Sequence, residues 1–331
     1  MSENGRRRVL SGVVLAFVFL ALHSNPALGW SARGHETVGL IAADLLAARN
    51  PRALAAAERL LGGATLEQVA PCADFIRRGS GADCAGIQLD AEPQSRPWHF
   101  IDIPISDSPE SLEPYCPGGN CVVDQIKDDV RALEDSSASF SQRQLALIYL
   151  VHFVGDEHQP LHCADEIVDG RSDYGGNAKP VVFEGSRSQR LNLHALWDHI
   201  IEPKDKLDPS TLAAQLERDI KKRDISSWTS GDFVADAARE SFQIAKDDIY
   251  PEYAADGGRI DASYHDRMQA LAELRLEKAG VRLSALIETA LGGQGPESSQ
   301  RLAQASGLPA GGAAIGRRVD AMVRQAAWSR Q

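Results

Sequence analysis

The stretch "LALIYLVHFVGDEHQPLH", Leu145 to His162, limits what this chain can fold into more than any other. Its first six residues are apolar, as in a helix buried on all sides. His152 and Asp156 then follow four residues apart, so both project from one helical face, about 6 Å apart along the axis. Pro160 ends that helix near Gln159, and the turn can swing His162 towards a neighbouring element. "NLHALWDHI" repeats the spacing with His194 and Asp198. A single His–Asp pair at this spacing is ordinarily a hydrogen-bonded couple. Two pairs inside apolar helical segments are different, because buried charges need partners or metals. Two such pairs on facing helices form a metal scaffold inside a bundle, and the spacing predicts a multi-metal site. His35, Asp74 and His99 are further candidate ligands. His158, His199 and His265 fall outside the pattern and are read as structural or solvated.

The rest of the chain is mostly helical in period. "HETVGLIAADLLAARN", "PRALAAAERLLGG", "TLEQVAPCADFIRRG", "CVVDQIKDDVRALED", "RLNLHALWDHII" and "RMQALAELRLEKAGVRLSALIETAL" space apolar residues by three and four. Strand signals are confined to "WHFIDIPI" and "KPVVFEG". The expected fold is all-α, a single helical domain with long connecting loops over residues 30–293. Residues 294–331 are rich in Gly and Ala and read as a C-terminal tail. Residues 1–29 read as a signal peptide: Arg6–Arg8, the apolar run Val9–Leu22, then small residues at Ala27 and Gly29, with cleavage before Trp30. No later run is long and apolar enough to span a bilayer. The expected location is therefore outside the cytoplasm, periplasmic or secreted. Cysteines can pair there. The tight loop "CPGGNC" suits a Cys116–Cys121 bridge, and Cys72 and Cys84 can pair across the intervening eleven residues. Cys163 is left over, and sequence does not fix the connectivity. With a net charge of −11, the chain is not a non-specific nucleic-acid binder of the basic kind; a phosphate ligand needs local cations.

The ordered set "WSARGH" (Trp30 to His35), "ADFIR" with Asp74 and Arg77, "WHFID" with His99, "HFVGDEHQPLH", "GGN" with Asn177 and "NLHALWDHI" resembles the zinc-dependent single-strand nucleases of the S-one/P-one type. The resemblance spans roughly residues 30–290. It implies a mostly helical fold, distantly like zinc-dependent phospholipase C, with three zinc ions in a cleft. One ion would be held by Asp74, His99 and His152, with Asp156 bridging to a second. That second ion would use His35, Asp156 and the α-amine and carbonyl of Trp30. The third would use His162, His194 and Asp198. Asp74, Arg77 and Asp156 would be central to catalysis. Phe100 would stack on a nucleobase, Asp102 would accept its N–H groups, and Asn177 would lie on the phosphate side. Arg78 is read as a solvated charge, and core packing is the competing reading of Phe100. The loop "CADEIVDGRSDYGGN" looks long and acidic for the family. The implied activity is hydrolysis of single-stranded RNA and DNA to 5′-phosphates, with 3′-nucleotidase activity alongside. Single-stranded nucleic acid and nucleotides are the expected substrates; no protein partner is inferred, and a monomer is expected. Two alternatives stay open: a zinc-dependent phospholipase C, and a zinc-binding module without turnover.

Overall fold

The computed structural model describes residues 30–78, 82–183, 191–201 and 208–293. The leader and tail expectations fall outside these residues. Eleven α-helices are described: α1 (Ala32–Arg49), α2 (Pro51–Leu60), α3 (Leu66–Val69), α4 (Cys72–Ile76), α5 (Val122–Glu134), α6 (Phe140–Glu157), α7 (Leu193–Asp198), α8 (Pro209–Ile220), α9 (Phe233–Ile244), α10 (Tyr250–Ala255) and α11 (Ala262–Leu291). The short strands are β1 (Ala82–Cys84), β2 (Ile87–Leu89), β3 (Ile167–Val168), β4 (Arg171–Ser172), β5 (Pro180–Phe183), β6 (Leu191–Asn192) and β7 (Arg259–Ile260). β1–β2 and β3–β4 are antiparallel hairpins, and β5 lies between β6 and β7. The all-α expectation holds, with these strands as trim on the loops.

α6 forms the axis of the domain. A capping box starts it: Ser139 Oγ accepts from Gln142 N, and Gln142 Oε1 accepts from Ser139 N. From Leu145 to Glu157 every residue is buried, as its apolar sequence requires. α5 packs on one side, while α1 and α11 pair along their lengths across the bundle. Below the ligand end of α6 lies a charged brace. Arg275 on α11 donates to the carbonyls of His158 (3.2 Å) and Ala237 (2.9 Å), and Arg282 donates to Trp228 O and to Glu240 (both 2.9 Å). His158 donates Nδ1–H to Val154 O and accepts from Arg282. Burial and the two arginines hold its pKa well below the ordinary value. It is a structural histidine, as the pattern indicated.

The structure departs from three sequence expectations. "TLEQVAPCADFIRRG" is two short helices, because Pro71 breaks the run at the start of α4. In "RLNLHALWDHII" only Leu193–Asp198 is helical, with Asn192 accepting from Ala195 N at its start. "WHFIDIPI" is not a sheet strand. Pro93–His99 is a 3-10 helix, and the extended residues after it make one isolated bridge, Pro104 to Asp165. The stretch pairs with the 162–165 segment, through Ile101 N to His162 O, Asp165 N to Ile103 O and Ile105 N to Asp165 O, and Phe100 O accepts from Val122 N at the start of α5. This pairing carries His99 and His162 to the same place. The disulfides are Cys72–Cys84 and Cys116–Cys121, and Cys163 is a buried free thiol.

Candidate metal centre

Three sets of ligand atoms converge at the C-terminal end of α6. They are His35, His152 and Asp156; Asp74, His99 and His152; and His162, His194 and Asp198, with the atoms of each set within 4.8 Å of one another. All are buried. α1 supplies His35, α4 Asp74, the 3-10 helix His99, α6 His152 and Asp156, the turn after Pro160 His162, and α7 His194 and Asp198. The expected ligand side chains therefore come together from six separate segments.

The hydrogen bonds around them explain how the rings are aimed. His152, His162 and His194 each use Nδ1 against a main-chain carbonyl at 2.7 Å: Ala70, His99 and Gly175 respectively. A carbonyl only accepts, so Nδ1 carries the proton and Nε2 presents a lone pair. Two glycines allow the packing. A Cβ at Gly155 would stand 2.6 Å from His35 Nδ1, so only glycine lets that ring lie against α6. Gly175 has φ +61° and abuts Leu161 O, and its own carbonyl orients His194. Gln159 Nε2 donates to Asp198 Oδ1 at 2.8 Å, orienting that carboxylate.

The sets fit a cation better than they fit one another. Both ring nitrogens of His35, Nε2 of His99, His162 and His194, and Oδ1 of Asp156 are buried without a hydrogen-bond partner. Leaving such atoms orphaned costs roughly 1–3 kcal/mol each, and a bound metal removes that cost. Burial, with Arg77 nearby, lowers the His99 pKa to about 3; burial and His162 lower that of His194 to about 3. Both rings are neutral ligands at any ordinary pH. Burial raises Asp198 well above the carboxylate range. Burial also opposes ionisation of Asp74, but His152 and Arg77 outweigh it and hold that carboxyl low. Arg77 Nη2 sits 2.7 Å from Asp74 Oδ1. The donor set, imidazole and carboxylate without thiolate, suits zinc.

A cleft of about 250 Å³ opens onto His162 and His194. Phe100, Asp102 and Asn177 line it, together with Arg77. Phe100 is half-buried and lines the cleft. Asp102 has much of its surface open, but that surface faces the cleft. Enclosure there, with Asp165 and Asp173 close by, raises its pKa to about 6. The loop before Asn177 folds as the β3–β4 hairpin. Its Asp165 and Asp173 are buried: Asp165 accepts from Ser172 Oγ and Asp173 accepts from Glu166 N. Tyr174 reaches the cleft, 71% exposed and at φ +57°. Sequence reading missed Tyr174 and Arg96; Arg78, read as a solvated charge, is exposed and lines the cleft beside Arg96. The only signal for Tyr174 was its position directly before "GGN".

A helical domain with buried imidazole–carboxylate sets at the floor of an arginine-lined cleft defines a metal-dependent phosphoester hydrolase. The family model for S1/P1 nuclease matches residues 30–292. Nuclease P1 of Penicillium citrinum is 28% identical over 279 residues, 77% of this chain and 95% of that protein. Nuclease S1 of Aspergillus oryzae is 28% identical over 284 residues, 78% and 91%. Endonuclease 2 of Arabidopsis thaliana is 26% identical over 309 residues, 85% and 97%. The chain belongs to the S1/P1 nuclease family.

Proposed function

We propose that this protein is an exported phosphodiesterase that holds three zinc ions and cleaves single-stranded RNA and DNA to 5′-phosphate products, with 3′-nucleotidase activity alongside. The observation that carries this reading is the convergence of three ligand sets, with Nε2 of His35, His99, His162 and His194 buried and without a hydrogen-bond partner. Asp74, His99 and His152 would hold one ion and His162, His194 and Asp198 another. His35 would hold a third with the Trp30 amine and carbonyl, and Asp156 would bridge that ion to the first. Bound zinc supplies Lewis acidity and a nucleophile at neutral pH. The chain's own residues do the rest. Arg77 offsets charge on the phosphate while fixing Asp74. Phe100 offers a stacking face, which every unstacked base can use. Asp102 accepts base N–H groups, and Asn177 stands beside the phosphate. A phospholipase would need a lipid-accepting cleft, whereas Arg77, Arg78, Arg96 and Asp102 in this one suit phosphates and a base. A module without turnover has no use for such a lining. Among the described residues no helix is long and apolar enough to cross a membrane, and a monomer is the proposed state. The test is purified, processed protein assayed on single-stranded nucleic acid and on a phosphatidylcholine analogue, with and without chelator. Chelator-sensitive cleavage of the lipid alone would overturn the reading.

Two outcomes follow here. Trp30 is wholly buried, and the next residue is pinned to the third set by Ser31 N donating to Asp198 O at 2.8 Å. One extra residue ahead of Trp30 in the processed chain should lower zinc content from about three ions to about two, since one ion loses its amine. Full occupancy by elemental analysis would remove the terminus from the ligand set. Asp102, with its pKa near 6, offers two accepting oxygens to base N–H groups when ionised, and turns one of them into a donor when protonated. KM for substrates whose bases present N–H groups should fall as pH rises through about 6. Asp102→Asn should flatten that step, and an unchanged pH profile would sink the base-accepting role.

A further inference from the structure

One wall of the cleft gathers Arg78 and Arg96 from two segments, the residues after α4 and the 3-10 helix before His99. Both are exposed. Each is anchored by one contact. Arg96 Nε donates to the Arg77 carbonyl at 3.2 Å, and the Arg78 guanidinium stands 5.5 Å over the Phe75 ring. Among the described residues neither is paired with a carboxylate, whereas Arg77 beside them is committed to Asp74. The chain carries 46 acidic side chains against 35 basic ones. Two guanidiniums lining one cleft with no carboxylate partner among the described residues are therefore unexpected here unless an anion visits them. A single exposed arginine is ordinarily solvated. Two that share a concave wall, with their stems held in place, present the planar fork that matches a phosphate.

We infer that Arg78 and Arg96 form a second phosphate subsite, for the phosphodiester adjoining the one being cleaved. The inference rests on the nuclease reading and adds a preference for strands over the smallest substrates. A dinucleoside monophosphate has only the scissile phosphate and cannot engage the subsite, whereas a deoxythymidine decamer can.

The experiment compares wild type with the Arg78→Gln/Arg96→Gln double variant, loaded with zinc, on both substrates over a series of salt concentrations. For the decamer, KM should rise about tenfold. The slope of log KM against log salt should become shallower by about 1, the loss of roughly one phosphate contact. For the dinucleoside monophosphate, KM and kcat should stay within about twofold. Arg→Lys at both positions should restore the salt slope, because a lysine keeps the charge. Equal losses on both substrates, or an unchanged salt slope, would overturn the subsite while leaving the nuclease reading intact. A wild-type enzyme that cleaves neither substrate would overturn the nuclease reading and the subsite together.

Discussion

Asp156→Ala is expected to reduce kcat by about a thousandfold or more and to lower the zinc content of the purified protein. Removing one stabilising group from an active site costs roughly 10²–10³ in rate, and this carboxylate is shared. Its Oδ2 lies 2.8 Å from His99 Nδ1 and 3.0 Å from His152 Nε2, and its Oδ1 lies 3.4 Å from His35 Nε2. Burial alone would drive its proton on, yet His152 and His162 hold its pKa well below the usual range. It is thus an anion at the meeting point of two ligand sets. Asp156→Asn keeps the shape without the charge and should lose nearly as much. If either variant turned over at close to the wild-type rate with its metal intact, the bridging role would be wrong.

Stripping the metal should have the second large effect, on stability as well as activity. The orphaned nitrogens and carboxylate oxygen described above are tolerable in the core only with cations between them. One ion present at a thousandfold excess over its Kd adds about 4 kcal/mol. At roughly 2–4 °C per kcal/mol, this corresponds to a Tm difference of about 10 °C per ion. The metal-free protein should also weaken in acid. His99 and His194 fall to about 3 when folded, from the ordinary 6.5. Between those values the unfolded chain binds protons that the folded chain refuses, so stability is full above pH 6.5 and is lost as pH falls towards 3. Differential scanning calorimetry of chelated and reloaded protein at pH 7.5 and 4.5 measures both effects. Equal Tm values with and without metal at pH 7.5 would mean that the sets do not bind it.

The gathering of the candidate ligands was partly legible because two of the pairs leave a periodic trace. His152–Asp156 and His194–Asp198 repeat with the period of a helix, inside segments too apolar to tolerate charge otherwise. His35, Asp74 and His99 leave no such trace. They became candidates by residue type and by their place in an ordered resemblance. Helical period was legible too, but its boundaries gave way wherever proline or a tertiary partner intervened. Pro71 split one expected helix, and "FIDIPI" bonds to the 162–165 segment and to the start of α5 rather than to a strand, which leaves it outside the named sheets. Arg78 read as solvated because nothing local shows that Arg96, eighteen positions on, stands on the same wall.

The sequence by itself determined a helical chain whose most buried helix carries metal-binding side chains on one face, since periodicity and burial are local properties of residue type. Only the tertiary structure decided how those side chains are aimed. The carbonyls that fix the tautomers of His152, His162 and His194 lie 82, 63 and 19 residues away along the chain. A hydrogen bond across that distance depends on how whole elements pack. So does the cleft, whose charge and shape come from loops that have no periodicity to read.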